Sequence, residues 1–347
     1  MRGAYLDKVY RKLHTIFWHK LHPGRWSLFL YSAYRKYIRA ERKEKSNVSA
    51  SKAGHLDVKD TLYLTQVPNK GAGIGHQMGN WNSGYWYAQC FGVQYAYSPF
   101  SNPQWDAFLG FGEGEVTAEE LLKQGYKKRK LPYFDGNSKE DLQQIQGMID
   151  QYRGQKVVFF LELDQFYEAQ CGVMKHIKEK FYKAQKRKED VLRYQPDCLN
   201  IAVHIRRGDI VIGQTTKDPG LTKRWLPTEY SANLLKALVN VIPKERAYRI
   251  YLFSQGTKED FPELEEIPNI EYCLDMPARE SFLHMVMADI LITSKSSFSY
   301  KPALLSNGIK ICPKHFWHAY PQEEKWIIVD EEQENMYESM EKVKLLI

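Results

Sequence analysis

From residue 200 onward, short apolar runs recur with helix-length segments between them. The runs are "IAVHI" (201–205), "YRIYLFS" (248–254), "IEYCL" (270–274), "DILITS" (289–294) and "IKICP" (309–313). Short, mostly apolar runs of this length suit the strands of a parallel sheet. Pro227 and Thr228 open one intervening helix, "ARESFLHMVMA" (278–288) forms a second and "FSYKPALLS" (298–306) a third. A short acidic helix is expected near "KEDFPEL". Strand and helix alternating in this way predict a parallel sheet with helices on both faces.

The preceding half carries the same signals at wider spacing. "TLYLTQV" (61–67) alternates like a strand, and a glycine-rich turn and helix run from Gly71 through Phe91. "VQYAYSP" (93–99) then reads as the next strand, giving the start of a βαβ unit. "KVVFFLEL" (156–163) is a buried-type strand. Residues 173–195 predict one long charged helix whose KRK run is a solvated face. Residues 330–347 predict an exposed terminal helix. The expected organisation is α/β with two Rossmann-like parts: a segment and linker over 1–55, a first domain over 56–197, and a second domain over 198–347.

Residues 1–46 break the pattern. They mix lysine and arginine with aromatics such as Phe17, Trp18, Trp26 and Tyr34, and hold few acids. Such a segment suits the headgroup region of an anionic membrane, or a helix packed on the body with a basic face outward. No run approaches the roughly 20 apolar residues that span a bilayer. No signal peptide is visible, so the expected location is cytoplasmic, with peripheral contact at a membrane's cytoplasmic face. The net charge of +7 favours an anionic partner. The five cysteines are scattered without metal or disulfide spacing. No nucleic-acid module is recognisable, and no acidic pair or histidine cluster predicts a metal.

Candidate chemistry falls in three stretches, each in a turn after a strand, where sheets of this class hold ligands. In "HIRRGD" (204–209), two arginines follow a strand end, and a guanidinium fork matches phosphate oxygens. Alternation along the strand lets only one of Arg206 and Arg207 face a ligand. The other is expected to act as a buttress through a carboxylate such as Asp209. In "SKSSFSYKPALL" (294–305), Ser296, Ser297 and Ser299 crowd a helix start, beyond the single hydroxyl that capping needs. In "GAGIGHQMGN" (71–80), Gly73 and Gly75 permit close backbone approach to a ligand, or simply a tight turn, with His76 and Gln77 adding polar reach.

Together these stretches resemble the fucosyltransferases that share an H-x-R-R-x-D motif, the α-1,2-, α-1,6- and protein O-fucosyltransferases. "VHIRRGD" (203–209) matches the motif. "GIGHQMGN" (73–80) is similar to their G-x-G-N-Q loop, with His76 for asparagine. Residues 288–308 resemble the segment ending in N-S-T-F-S, with Lys295 for asparagine. The resemblance implies a GT-B fold, two Rossmann-like domains facing a cleft with the acceptor side over 56–197 and the nucleotide-sugar donor side over 198–347, and metal-independent, inverting transfer from GDP-fucose to a glycan hydroxyl, with no cofactor. It implies His204 near the guanine, Arg206 on the β-phosphate, and Ser296, Ser297 and Phe298 along the phosphates. Glu280 stands nearest the acid that reads the guanine edge. Gln214 falls where α-1,6 enzymes place a glutamate base, which leaves Asp209 and Asp218 as the nearby carboxylates. Tyr300 and Lys301 replace a tryptophan pair. Two rival expectations remain: another GDP- or UDP-sugar as donor, and an inactive nucleotide- or glycan-binding protein, which Gln214 favours.

Overall fold

The computed structural model describes residues 62–162 and 170–347. The basic aromatic segment over 1–46 and the linker after it lie outside the described residues. Five elements build the first sheet region: β1 (Leu62–Val67), α1 (Ile74–Cys90), β2 (Gln94–Tyr95), β3 (Lys127–Lys130) and β4 (Val157–Glu162). Their strands form a parallel sheet in the order β2-β1-β4-β3. Three shorter helices, α2 (Pro103–Leu109), α3 (Ala118–Lys123) and α4 (Lys139–Asp150), lie between β2 and β4 in the chain.

The second sheet is longer and also parallel. Its strands are β5 (Leu199–His204), β6 (Tyr248–Ser254), β7 (Ile270–Leu274), β8 (Ile290–Ile292), β9 (Ile309–Pro313) and β10 (Trp326–Val329). They are ordered β10-β9-β8-β5-β6-β7. Counted from β5, that is the 3-2-1-4-5-6 order of a dinucleotide-binding sheet, whose direction of winding reverses between β5 and β8. All six residues of β5 are buried, as a central strand covered on both faces demands. The α/β class with two parallel sheets is as the apolar pattern predicts.

Helices cover the second sheet: α6 (Asp209–Thr216), α7 (Pro219–Thr222), α8 (Thr228–Val241), α9 (Ala278–Met287), α10 (Ser297–Leu305) and α11 (Met336–Leu346). One apolar cluster lines one side of this sheet with Ile201, Val203, Leu234, Leu252 and Ile311. Another runs without a break from Met78, Trp81 and Phe111 to Tyr251, Phe282 and Leu304. The two sheet regions therefore share a core through α1, α10 and α5 (Met174–Lys183).

Several local expectations are corrected. The charged helix expected over 173–195 ends at Lys183; a 3-10 turn follows over Gln185–Glu189, and Val191 and Leu192 are exposed. Residues 258–264 form two 3-10 turns where a helix was expected. The terminal helix buries Ser339, Met340 and Val343, so one face is core. Strand pairing over 93–99 shrinks to β2 and one bridge, Tyr97 to Thr117.

The contact that joins the two regions next to the switch point is very close. A Cβ on Gly75, in the first turn of α1, would lie 2.8 Å from the backbone carbon and oxygen of Ser297. Only glycine lets the start of α1 meet the start of α10 this closely. Gly75→Ala should therefore lower stability by about 1–3 kcal/mol. Chemical denaturation tests this, and a midpoint equal to wild type would show that the two helix starts separate freely.

Candidate functional site

At the carboxyl end of the second sheet, β5 and β8 finish side by side. Val203 pairs with Ile292, so His204, the next residue of β5, and Ser294, two residues past the end of β8, stand at the reversal point. The Ser294 hydroxyl and His204 Nδ1 are 2.8 Å apart in a buried hydrogen bond. The crevice that opens above is a cleft of about 730 Å³. One wall comes from residues 72–76 ahead of and within α1. The other comes from the turns after β5, β6, β7 and β8.

The two arginines of "HIRRGD" lie past the end of β5, so strand alternation does not reach them; both line the cleft, and they are held differently, not with the partner expected. Arg206 faces the cleft: one terminal nitrogen donates to Ser296 Oγ at 3.3 Å, and the other to both Asp209 oxygens at 3.1 and 2.9 Å. Its Nε is buried with no hydrogen-bond partner. Arg207 touches the cleft but is held from behind. Its guanidinium donates to the Leu226 carbonyl at 3.3 Å and to Thr228 Oγ1 at 2.6 Å, and lies over the Trp225 ring at 4.2 Å. Asp209 thus pairs with Arg206, and Arg207 is held by two carbonyls (Arg206 at 2.8 Å and Leu226), a hydroxyl and an indole. Gly208 between them has φ +67°, and a Cβ there would lie 2.1 Å from Gln255 Oε1. Glycine is the residue that makes this turn after β5.

The serine stretch also separates into roles. Ser296 is the N-cap of α10, its Oγ accepting from Phe298 N–H at 3.2 Å. Ser296, Ser297 and Phe298 line the cleft. Ser299 does not: it is fully buried, accepts from Ser294 N–H at 3.2 Å, and braces the turn. The start of α10 therefore presents backbone N–H groups and a positive helix end beside Arg206.

The glycine loop is half as expected. Gly73, Gly75 and His76 line the cleft. Gly75 is occupied by the Ser297 backbone rather than open to a ligand. Gln77 is not among the lining residues. Its amide donates to the Ala72 carbonyl at 2.7 Å and Ser101 Oγ at 2.6 Å, and accepts from Ser101 N–H at 2.9 Å, which fastens the loop.

Two acids expected in the site are elsewhere. Asp218 is exposed and accepts from Gly220 N–H at 2.7 Å and Leu221 N–H at 3.2 Å, capping the one-turn helix α7. Glu280 is exposed on α9 and does not line the cleft; its carbonyl takes the His284 Nδ1 hydrogen bond at 2.7 Å. Gln214, Tyr300 and Lys301 also lie off the cleft. Lys301 is fully buried and donates to Gln170 Oε1 at 2.8 Å. Lys295 pairs with Glu331 at 2.9 Å.

Three lining residues had no signal in the sequence pattern. Arg224, after α7, lies in the cleft with its guanidinium 5.4 Å from the Trp317 ring centre. Burial and the neighbouring charge of Arg206 push its pKa down, against the pull of Asp209 and Asp218. Trp317 follows β9 in a loop. Asp275 stands at the end of β7 with φ +53°, an acid in the cleft where Glu280 was expected. The cleft carboxylates among the described residues are therefore Asp209 and Asp275. No group of three or more His, Cys, Asp or Glu side chains is placed to hold a metal ion among those residues. No helix among them is long and apolar enough to cross a membrane.

No protein-family model matches the chain, and a search of curated proteins finds no relative. Solved structures do align with it. The fucosyltransferase NodZ from Bradyrhizobium is 10% identical, with a TM-score of 0.41, over 72% of this chain and 94% of that one. A FUT1 variant from Arabidopsis thaliana in complex with GDP is 10% identical, with a TM-score of 0.42, over 93% and 81%. The E. coli ADP-heptose lps heptosyltransferase II is 11% identical, with a TM-score of 0.42, over 82% and 98%. At such scores these likenesses carry no part of the functional reading.

His204 is neutral in this setting. Burial, reinforced by Arg206 and Arg207, pushes its pKa from 6.5 down to about 3. Between those values the unfolded chain takes up a proton that the folded chain refuses, so stability falls as pH drops through that window. His176 and His284, also lowered by burial, act in the same direction. Urea titrations from pH 7 to 4 should show a falling midpoint, with a shallower fall in His204→Asn. An identical slope in the variant would contradict the neutral buried imidazole.

Proposed function

We propose that the chain is a GT-B glycosyltransferase that moves fucose from GDP-fucose to a glycan hydroxyl, with inversion and without a metal. The observation that carries the reading is the bracket at the switch point. Arg206 spans Ser296, at the positive start of α10, and Asp209, at the start of α6. A guanidinium and a helix N-terminus converging on one crevice form a site for a diphosphate. Fucose as the sugar is supported by the resemblance of "VHIRRGD" to the fucosyltransferase motif.

The rest of the cleft suits a guanine nucleotide. Guanine presents two adjacent donors, its N1–H and its amino group, and a carboxylate accepts both. Asp275, exposed at the end of β7, is the acid available for that edge. Uracil offers one N–H between two carbonyls, which a carboxylate repels. Phe298, with its ring 5.6 Å from His204, supplies apolar surface in the same cleft.

In the transfer, the acceptor hydroxyl oxygen bonds to C1 of the sugar while the C1–O bond to the β-phosphate breaks. The bonding pair leaves on the diphosphate, where Arg206 and the α10 N–H groups meet the developing charge. The hydroxyl proton passes to Asp209, the cleft carboxylate beside Arg206.

Calorimetry with GDP, UDP and ADP in excess EDTA tests the reading. GDP should bind most tightly, and Arg206→Ala should weaken it by about tenfold or more, as loss of a charge-assisted hydrogen bond implies. No nucleotide binding, or preference for UDP, would contradict it. Asp209→Asn should split the parameters: GDP binds as well or better once a negative charge is removed, while kcat falls by about 10². A variant with unchanged kcat would remove Asp209 as the proton acceptor.

A further inference from the structure

The charge on a departing nucleoside diphosphate exceeds what Arg206 offers alone. Arg206 is already bound to both oxygens of Asp209, at 3.1 and 2.9 Å, so much of its charge is matched before any ligand arrives. Arg207 is spent on Leu226, Thr228 and the Trp225 ring. His204 is hydrogen-bonded to Ser294 in a buried pair. His76, on the opposite wall, is exposed with its Nε2 3.4 Å from the Asn69 amide. Arg224 is the remaining cation among the lining residues.

Its setting is that of a held but unconsumed guanidinium. Trp317 lies 5.4 Å from it, and stacking on an indole fixes the plane of the fork while leaving its edge free for hydrogen bonds. Arg224 Nε is buried and has no hydrogen-bond partner. Trp317 is itself 37% exposed, a large apolar surface kept at the cleft rather than in the core. Neither residue belongs to the arginine motif or the serine stretch. They come from the loops after α7 and β9 and meet only in the folded chain.

We infer that Arg224, held by Trp317, is a second guanidinium for the diphosphate and neutralises its terminal phosphate as the sugar leaves. The inference rests on the proposed donor reading. It assigns to Arg224 and Trp317 the part of the site that discriminates a diphosphate from a monophosphate.

Calorimetric binding of GDP and GMP to the full chain separates this role from a structural one. In Arg224→Met, GDP should weaken by about tenfold, with GMP changing less than about threefold, because only GDP carries the terminal phosphate. Arg224→Lys, which keeps the charge, should recover part of the loss. Trp317→Ala should show a smaller loss with the same preference for GDP over GMP, and Trp317→Phe should lie close to wild type. Thermal unfolding of each variant checks that the fold persists. Equal losses for GDP and GMP, or unchanged GDP affinity in Arg224→Met while Arg206→Ala still loses it, would overturn this inference and leave the proposed function standing. Failure of the wild-type chain to bind either nucleotide would overturn both.

Discussion

The hydrogen bond between His204 and Ser294 ties together the tips of β5 and β8, the two strands between which the sheet reverses its winding. Everything in the site follows from that adjacency. His204 ends β5, whose next turn carries Arg206, and Ser294 lies two residues past β8 in the turn that starts α10. Because the two turns leave neighbouring strand tips, a guanidinium and a helix N-terminus from residues about ninety apart in sequence meet at 3.3 Å, as Arg206 and Ser296. Burial, reinforced by the neighbouring arginines, keeps an uncharged imidazole beneath the cluster, which leaves the positive charge to arginines that stay ionised at any working pH.

The second constraint is the close contact of α1 with α10. The cleft needs a far wall, and residues 72–76 supply it because Gly75 has no side chain to hold Ser297 away. The apolar cluster running from Trp81 to Phe282 behind this contact makes the two sheet regions one continuous core. The glycine loop acts on the site by letting helices approach as well as by exposing backbone, and Gln77 secures it from inside.

Legibility in the sequence followed burial. Strands β5, β6 and β9 are readable because most of their residues are buried and the sequence there is mostly apolar; β7, a half-buried edge strand, is readable from its apolar positions around Glu271. β3 is not, because "KKRK" is an edge strand with all four side chains exposed, and lysine on an edge is a defence against edge-to-edge pairing rather than a strand signal. In the site, His204, Arg206, Ser296 and Ser297 were visible as polar residues attached to strand ends. Asp218 and Glu280 stand near the motifs in sequence, but the structure turns both away, one into a helix cap and one onto an exposed helix position. Arg224, Trp317 and Asp275 sit in loops without periodicity, and only the folding of the sheet gathers them around the cleft.

The crevice between β5 and β8 is the proposed seat of a nucleoside diphosphate. A crystal structure of the chain grown with GDP addresses it most directly. The diphosphate is expected between the Arg206 guanidinium and the Ser297 N–H at the start of α10, with the guanine edge on Asp275. A nucleotide seated instead at the carboxyl end of the four-stranded sheet, or against Arg207 with Arg206 still closed on Asp209, would contradict it.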